Sequence, residues 1–377
     1  MTPLEQLLSD LVAIDSINPD LVPGAAGEGA IARFIAEWLS AAGLEVTLEE
    51  VAPGRPNVIG VARGTGGGRT LLLDGHVDTV GVTGMVDPLR PRLANGRLYG
   101  RGAYDMKGGL AACLLAAAEV ARQPLRGDVI VAAVMDEEYA GLGTLAVAER
   151  TRADGAIVAE PTELGLVVAH RGFVWLEVET HGVAAHGSRP HLGVDAIVKM
   201  GGVLAGLDDL AQALAQGPAH PLLGPASVHA SLISGGQELS SYPDRCVLAL
   251  ERRTLPGETG AMAEAELRAI IARLAAADPA FRAAVRLGLE RAPMETPPDA
   301  AILGATRAAA AAVLGRPIVP EGVSFWTDAA SLHAAGIPTV LFGPTGEGAH
   351  AVEEWVDVAS VQTCVEVYLA TARAFCG

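Results

Sequence analysis

The apolar positions of this chain change period several times. Ile31, Phe34, Ile35, Trp38 and Leu39 fall on one face at helical spacing, and Gly43 stands where a C-terminal cap belongs. Leu44, Val46 and Leu48 then alternate with polar residues as a half-exposed strand. Later runs are almost wholly apolar: TLLLD (70–74), VIVAAVM (129–135), AIVAE (156–160) and TVLFG (339–343). Unbroken apolarity over that length predicts parallel strands covered on both faces, and helical patterns at 108–122 and 299–314 predict the cover.

From about residue 172 to 290 the pattern differs. FVWLEVET (173–180) alternates as a strand, 193–210 is helical, and SVHASLI (227–233) and RCVLALE (245–251) are strands around a Gly/Ser/Pro loop. A helix at about 259–277 and the strand AAVRLGLE (283–290) follow. That order is β-α-β-β-α-β, the ferredoxin-like arrangement. The predicted fold class is therefore α/β: a mainly parallel sheet covered by helices, carrying an inserted domain. The predicted boundaries are 1–171 and 293–377 for the two parts of the larger domain and 172–292 for the insert.

Composition narrows the function. The chain has 377 residues, half of them hydrophobic, with 27 Lys plus Arg against 44 Asp plus Glu and a net charge of −17. Such a surface repels phosphate backbones and anionic membranes, so neither nucleic acid nor a membrane is expected as a partner. Cys113, Cys246, Cys364 and Cys376 are scattered without a CxxC pair, which predicts buried thiols of a reducing compartment. The start carries no basic, apolar leader pattern; Thr2, Pro3 and Glu5 instead predict a capped helix, and a cytoplasmic location is expected.

Acids and imidazoles follow the apolar runs. His76 and Asp78 come after the first, Asp136, Glu137 and Glu138 after the second, Glu160 ends the third, and a glycine-rich loop leads from the fourth to His350. Asp105 lies in GRGAYDMKGG (100–109), just before a helix. Open α/β sheets bind ligands outside the carboxyl ends of their strands, so these groups are expected to converge. Taken singly, His76 or His350 would be an ordinary surface or core histidine; the ordered company makes them metal ligands.

Nitrogen and oxygen donors without thiols suit a hydrolytic centre of zinc, cobalt or manganese. The set is too rich for one ion and fits two divalent ions bridged by a carboxylate, about 3.5–4 Å apart. His76 would bind one and His350 the other, with Asp105 placed as the bridge. Asp78, two residues along an extended chain, would hold the second nitrogen of His76. Glu137 and Glu138 are expected to point apart on extended backbone, one as a ligand and the other as general base. Asp74 receives no role, and Lys107 is expected to neutralise nearby acids.

The segments GHVDT, GRGAYDMKGG, MDEE, AEP and GAHAVEE resemble the successive motifs of the two-zinc amidohydrolase and exopeptidase family. Its members include acetylornithine deacetylase, succinyl-diaminopimelate desuccinylase, aminoacylase and bacterial glutamate carboxypeptidase. The resemblance runs from AIDSINPD (13–20) to VEEWV (352–356). It implies that His76, Asp105 and Glu160 bind one metal, and Asp105, Glu138 and His350 the other. It also implies that Glu137 is the general acid/base and Asp78 the partner of His76. The insert is similar to the family's lid and dimerisation domain, which implies a homodimer. There GVAAHGSRPHLG (182–193) implies that His186 reaches the partner's site and stabilises the oxyanion. Arg253 in ERRTLPGE (251–258) implies a grip on the substrate carboxylate. Ser240 in LSSYPD (239–244) departs from the pattern, standing where many relatives carry Asn before the PD turn.

The resulting expectation is hydrolysis of the amide bond of an N-acyl amino acid. The rival expectations are a metallo-dipeptidase, carboxypeptidase or aminopeptidase acting on small peptides, and a metal- or ligand-binding homologue without catalysis.

Overall fold

The computed structural model describes all 377 residues, which divide into two compact units. The first comprises residues 1–168, 296–321 and 327–377; the second comprises 169–295 and the short segment 322–326, which periodicity gave no sign of.

The first unit is built on a twisted sheet. Its strands run in the order Glu45–Ala52, Arg55–Ala62, Val129–Val134, Leu71–His76, Gly155–Val158, Thr339–Leu341 and Val167–His170. The four strands beginning at Val129, Leu71, Gly155 and Thr339 are mutually parallel. Arg55–Ala62 and Val167–His170 run antiparallel to them, and Glu45–Ala52 pairs antiparallel with Arg55–Ala62 at the edge. The sheet is thus mainly parallel where the apolar runs lie, and its edges are not.

Covering on both faces explains the apolarity. Leu71, Leu72 and Leu73 are fully buried, as are Val129, Val131 and Ile157. The helices Gly108–Arg122, Ala301–Leu314 and Val358–Cys376 supply Leu110, Leu114, Ile302, Val361 and Tyr368 to the same core. Burying a Leu or Val side chain is worth about 1.5–3 kcal/mol, so these strands are anchored by packing along their whole length. The first helix, Pro3–Ala13, carries the complete capping box: Thr2 Oγ1 accepts from the Glu5 amide, and Glu5 accepts from the Thr2 amide. All four cysteines are free and buried. No helix is long and apolar enough to cross a membrane.

The second unit holds a four-stranded antiparallel sheet in the order Ser227–Gly235, Arg245–Thr254, Gly172–His181, Arg282–Arg291. The helices Ala196–Gln216 and Gly260–Ala277 pack their apolar stripes, including Met200, Val203, Leu267 and Ile270, against Val174, Leu176, Val178, Leu248 and Leu250. The first of these helices runs one and a half turns beyond the predicted 210, because Leu210 and Leu214 continue the stripe facing this core.

Candidate dinuclear metal centre

The four parallel strands of the first unit end on one edge, and each leads into an acid or an imidazole. His76 is the last residue of its strand and is 1% exposed. Its Nδ1 lies 2.9 Å from the backbone oxygen of Asp78 and 3.5 Å from Asp78 Oδ1. A carbonyl only accepts, so Nδ1 carries a proton, and once Nε2 loses its own proton it can offer a lone pair. That nitrogen faces Asp105 Oδ1 at 3.2 Å and Glu160 Oε1 at 3.7 Å.

Asp105 arrives from a different element, the five-residue turn Ala103–Lys107 before the Gly108 helix. Its backbone is extended there, at φ −114 and ψ 96. The two oxygens of its carboxylate diverge: Oδ1 faces His76, and Oδ2 lies 3.3 Å from Nε2 of His350. The same His350 nitrogen is 3.0 Å from Glu138 Oε2. Donor atoms of His76, Glu137 and Glu160 lie within 4.8 Å of one another, and so do those of His76, Asp105 and Glu138.

The Glu137–Glu138 pair departs from expectation. It occupies a turn, not extended backbone, because Asp136 adopts φ +69 and its carbonyl accepts from the amides of Ala140 and Gly141. The separation of the two side chains is set instead by Asp78, whose Oδ1 and Oδ2 accept from the amides of Glu137 and Glu138 at 3.1 and 3.2 Å. Asp78 therefore touches His76, Glu137 and Glu138 together. The His76 and Asn18 contacts and the Glu138 amide hold its carboxyl below the usual range, although burial alone would raise it.

The electrostatics are those of an acid cluster short of positive charge. Burial, reinforced by Asp105, pushes Glu138 up to about 7. Burial and the Glu160 charge push Glu137 well above the carboxylate range, and burial with the Asp105 charge does the same for Glu160. His350 is lifted to about 10 by Asp105 and Glu138. Imidazole nitrogens aimed at carboxylate oxygens, with more buried acids than cations, favour additional positive charge between them, as protons or as metal ions. Two divalent cations would supply such charge, and the N/O donor set fits zinc, cobalt or manganese.

His186, Ser240 and Arg253 belong to the second unit. His186 is exposed, with Nδ1 2.8 Å from Ser188 Oγ, and pairs through its backbone with Ser241. The Ser240 carbonyl accepts from the amide of Gly187 at 2.7 Å, so the two loops are joined. Arg253 Nε donates to Glu251 Oε1 at 2.7 Å, and its guanidinium lies 5.4 Å from the Phe173 ring centroid.

Several buried polar residues around the centre escaped the sequence reading. Asn18 Nδ2 donates to both Asp78 Oδ2 and Asp136 Oδ1, and Arg55 Nη2 reaches Asn18, Glu28 and Asp136. Asp328, at the start of a short helix, accepts from Thr144 Oγ1 at 2.7 Å and is pushed up to about 7 by burial. In FWTDAASL it reads as a routine helix cap, and Asn18 in SINPD as a turn residue. Asp74, fully buried and repelled by Asp328, is held well above the carboxylate range by burial first. Lys107 does more than neutralise acids: its buried Nζ donates to the carbonyls of Leu11 and Ile14 at the end of the first helix.

A centre of this composition at the carboxyl edge of an α/β sheet defines the chain as a metal-dependent hydrolase. It belongs to peptidase family M20/M25/M40, whose model matches residues 72–374. It is 33% identical to an acetylornithine deacetylase of Myxococcus xanthus, over 99% of this chain and 98% of that protein. It is 30% identical to an N-formyl-4-amino-5-aminomethyl-2-methylpyrimidine deformylase of Bacillus subtilis, over 99% and 94% respectively. Among solved structures it resembles the aminopeptidase PepT of Bacillus cereus, with a TM-score of 0.81 at 20% identity over 99% and 98% of the two chains. It also resembles a dinuclear metal-binding M20 peptidase of Bacillus subtilis, YXEP, with a TM-score of 0.77 at 17% identity over 99% and 97%.

Proposed function

We propose that this M20 hydrolase cleaves the amide bond of an N-acyl amino acid or a similar small carboxylate. The observation that carries the reading is Asp105, whose two oxygens face different imidazoles. His76, Asp105 and Glu160 would hold one divalent ion, and Asp105, Glu138 and His350 the other. When bound, such ions polarise the amide carbonyl and lower the pKa of water. Zinc is the first candidate, with cobalt and manganese as alternatives.

The chain's own groups do the rest. Asp78 keeps the His76 ring oriented and, through its amide contacts, aims Glu137 and Glu138. Glu137 takes a proton from the attacking water as the C–O bond forms, then delivers it to the nitrogen as the C–N bond breaks. His186, supplied by a partner copy, donates to the developing oxyanion. Arg253 receives the substrate carboxylate, and the loop of Ser240 contributes to its surroundings.

A homodimer formed through the second unit, acting as a lid, is part of the same proposal. The strand Ser227–Gly235 lies at the edge of its sheet with Leu232 and Ile233 exposed, and Val198 on the adjoining helix is 68% exposed. An unpaired apolar edge is the kind of surface a second copy covers. A cytoplasmic site of action suits the four free thiols.

Amine release from a panel of N-acyl amino acids and free-amine dipeptides, with zinc, cobalt or manganese, tests the reading. Preference for the acylated compounds supports it, and preference for dipeptides overturns the substrate class. Glu137→Gln should bind metal like the parent yet lose about 10²–10⁴ in turnover; near-parental rates would remove Glu137 from its role.

A further inference from the structure

Asp105 bridges only if the turn that carries it is held at a fixed angle, and that turn is poorly equipped to hold itself. Residues Asp105 and Met106 leave helical geometry, at φ/ψ of −114/96 and −128/32. The amides of Ala103 and Lys107 find local carbonyls, those of Gly100 and Gly102. The amides of Gly102, Tyr104 and Asp105 instead meet a side chain from far along the chain. Glu354 Oε1 accepts from Tyr104 and Asp105 at 2.9 and 3.1 Å. Its Oε2 accepts from the Gly102 amide at 3.0 Å and from Arg101 Nη1 at 2.6 Å.

Glu354 is 1% exposed, so nothing in bulk water competes for these bonds. It also lies four residues beyond His350. Arg101, bonded to Glu354, donates through Nη2 to the carbonyls of Ala351 and Gly81 at 2.9 and 3.2 Å. One carboxylate and one guanidinium therefore register the Asp105 turn against the His350 loop.

We propose that Glu354 is a positioning residue for the metal centre, holding Asp105 so that its two oxygens face His76 and His350. The inference rests on the dinuclear reading above. The carboxylate form is needed: two oxygens take four donors, whereas an amide of equal shape offers one acceptor and turns an NH₂ toward N–H groups. Residues that orient ligands in this way typically change metal affinity by about 10–100-fold when replaced.

The test uses the full-length chain stripped with chelator. Zinc is titrated calorimetrically into the parent, Glu354→Gln and Glu354→Asp, and the visible spectrum of each cobalt-loaded protein is recorded. Glu354→Gln should bind zinc about 10–100-fold more weakly and shift the cobalt bands. Glu354→Asp, which keeps the charge one methylene shorter, should recover part of both and serves if the glutamine variant does not fold. On N-acyl substrates the loss should fall on kcat with little change in KM. A merely structural role would lower the melting temperature and leave affinity and spectrum parental, which would overturn the inference. A parent chain that fails to take up two ions would overturn the dinuclear reading itself, and is told apart because it shows before any substitution.

Discussion

Gly109 illustrates how the site depends on backbone contact. It sits in the first turn of the Gly108–Arg122 helix, where that helix crosses the end of the Gly155–Val158 strand. A Cβ built there would lie 1.9 Å from the Ala159 carbonyl oxygen, 2.9 Å from its carbon and 3.0 Å from Ala159 Cβ. The first distance falls about 1.5 Å short of ordinary van der Waals separation, and the crowded atoms are mostly backbone. The helix and the strand end must therefore part. Overpacking of this kind costs about 1–3 kcal/mol, and the upper end applies because no rotamer relieves it. Alanine returns up to about 1 kcal/mol of helix propensity, leaving a net loss near ~2 kcal/mol. At roughly 2–4 °C per kcal/mol the melting temperature should fall by about 4–8 °C. Ala159 precedes Glu160, so the same displacement moves a proposed ligand, and a 1 Å misplacement is worth about 10²-fold in rate. Calorimetric unfolding and zinc titration of Gly109→Ala read both effects. Gly304→Ala is the control, since its Cβ would meet nothing within 4 Å in the Ala301–Leu314 helix. If Gly109→Ala melts with Gly304→Ala and binds zinc normally, close packing of that crossing does not position the site.

Asn18→Ala should leave Asp78 and Asp136 each one buried donor short, costing about 1–3 kcal/mol, seen as a lower urea midpoint at unchanged slope. It should also weaken zinc binding, because Asp78 orients His76; an unchanged midpoint would count against the network. Lys107 carries a pH dependence: burial depresses its ammonium from the usual 10.5 to about 8, despite Glu354, Asp15 and Asp78 nearby. Between those values the unfolded chain holds a proton that the folded chain lacks, so this group makes stability rise with pH from about 8 to 10.5. Lys107→Met should remove that rise, worth ~3 kcal/mol at most, from urea titrations of the parent minus the variant. Parallel curves for the two proteins across that window would refute it.

What could be read in the linear chain follows from periodicity and strand ends. Leu71–Leu73, Val129–Val134 and the other apolar runs announced parallel strands because only strands covered on both faces are apolar at every position. His76, Asp105, Glu138, Glu160 and His350 were legible because each follows such a run or opens a covering helix, and such ends share one edge. Asp105 was assigned as a bridge from its surroundings, yet only the structure shows its two oxygens parting toward different imidazoles.

The buried polar residues that surround the centre were hidden for a common reason. Asn18, Arg55, Asp328 and Glu354 each act on groups far away in the chain: Glu354 and Asp105 are separated by 249 positions. Each also occupies an ordinary local setting: Asn18 and Glu354 in loops, Arg55 at a strand start and Asp328 at a helix start. The turn at Glu137–Glu138 is likewise absent from the local pattern, since the left-handed φ of Asp136 is held by carbonyl and amide contacts that residue type does not encode. The strands and the acids and imidazoles at their ends depend on short-range pattern, so the sequence alone determined them. The hydrogen bonds aiming those groups depend on which distant backbone amides packing brings to a buried carboxylate, and only the tertiary structure decided that.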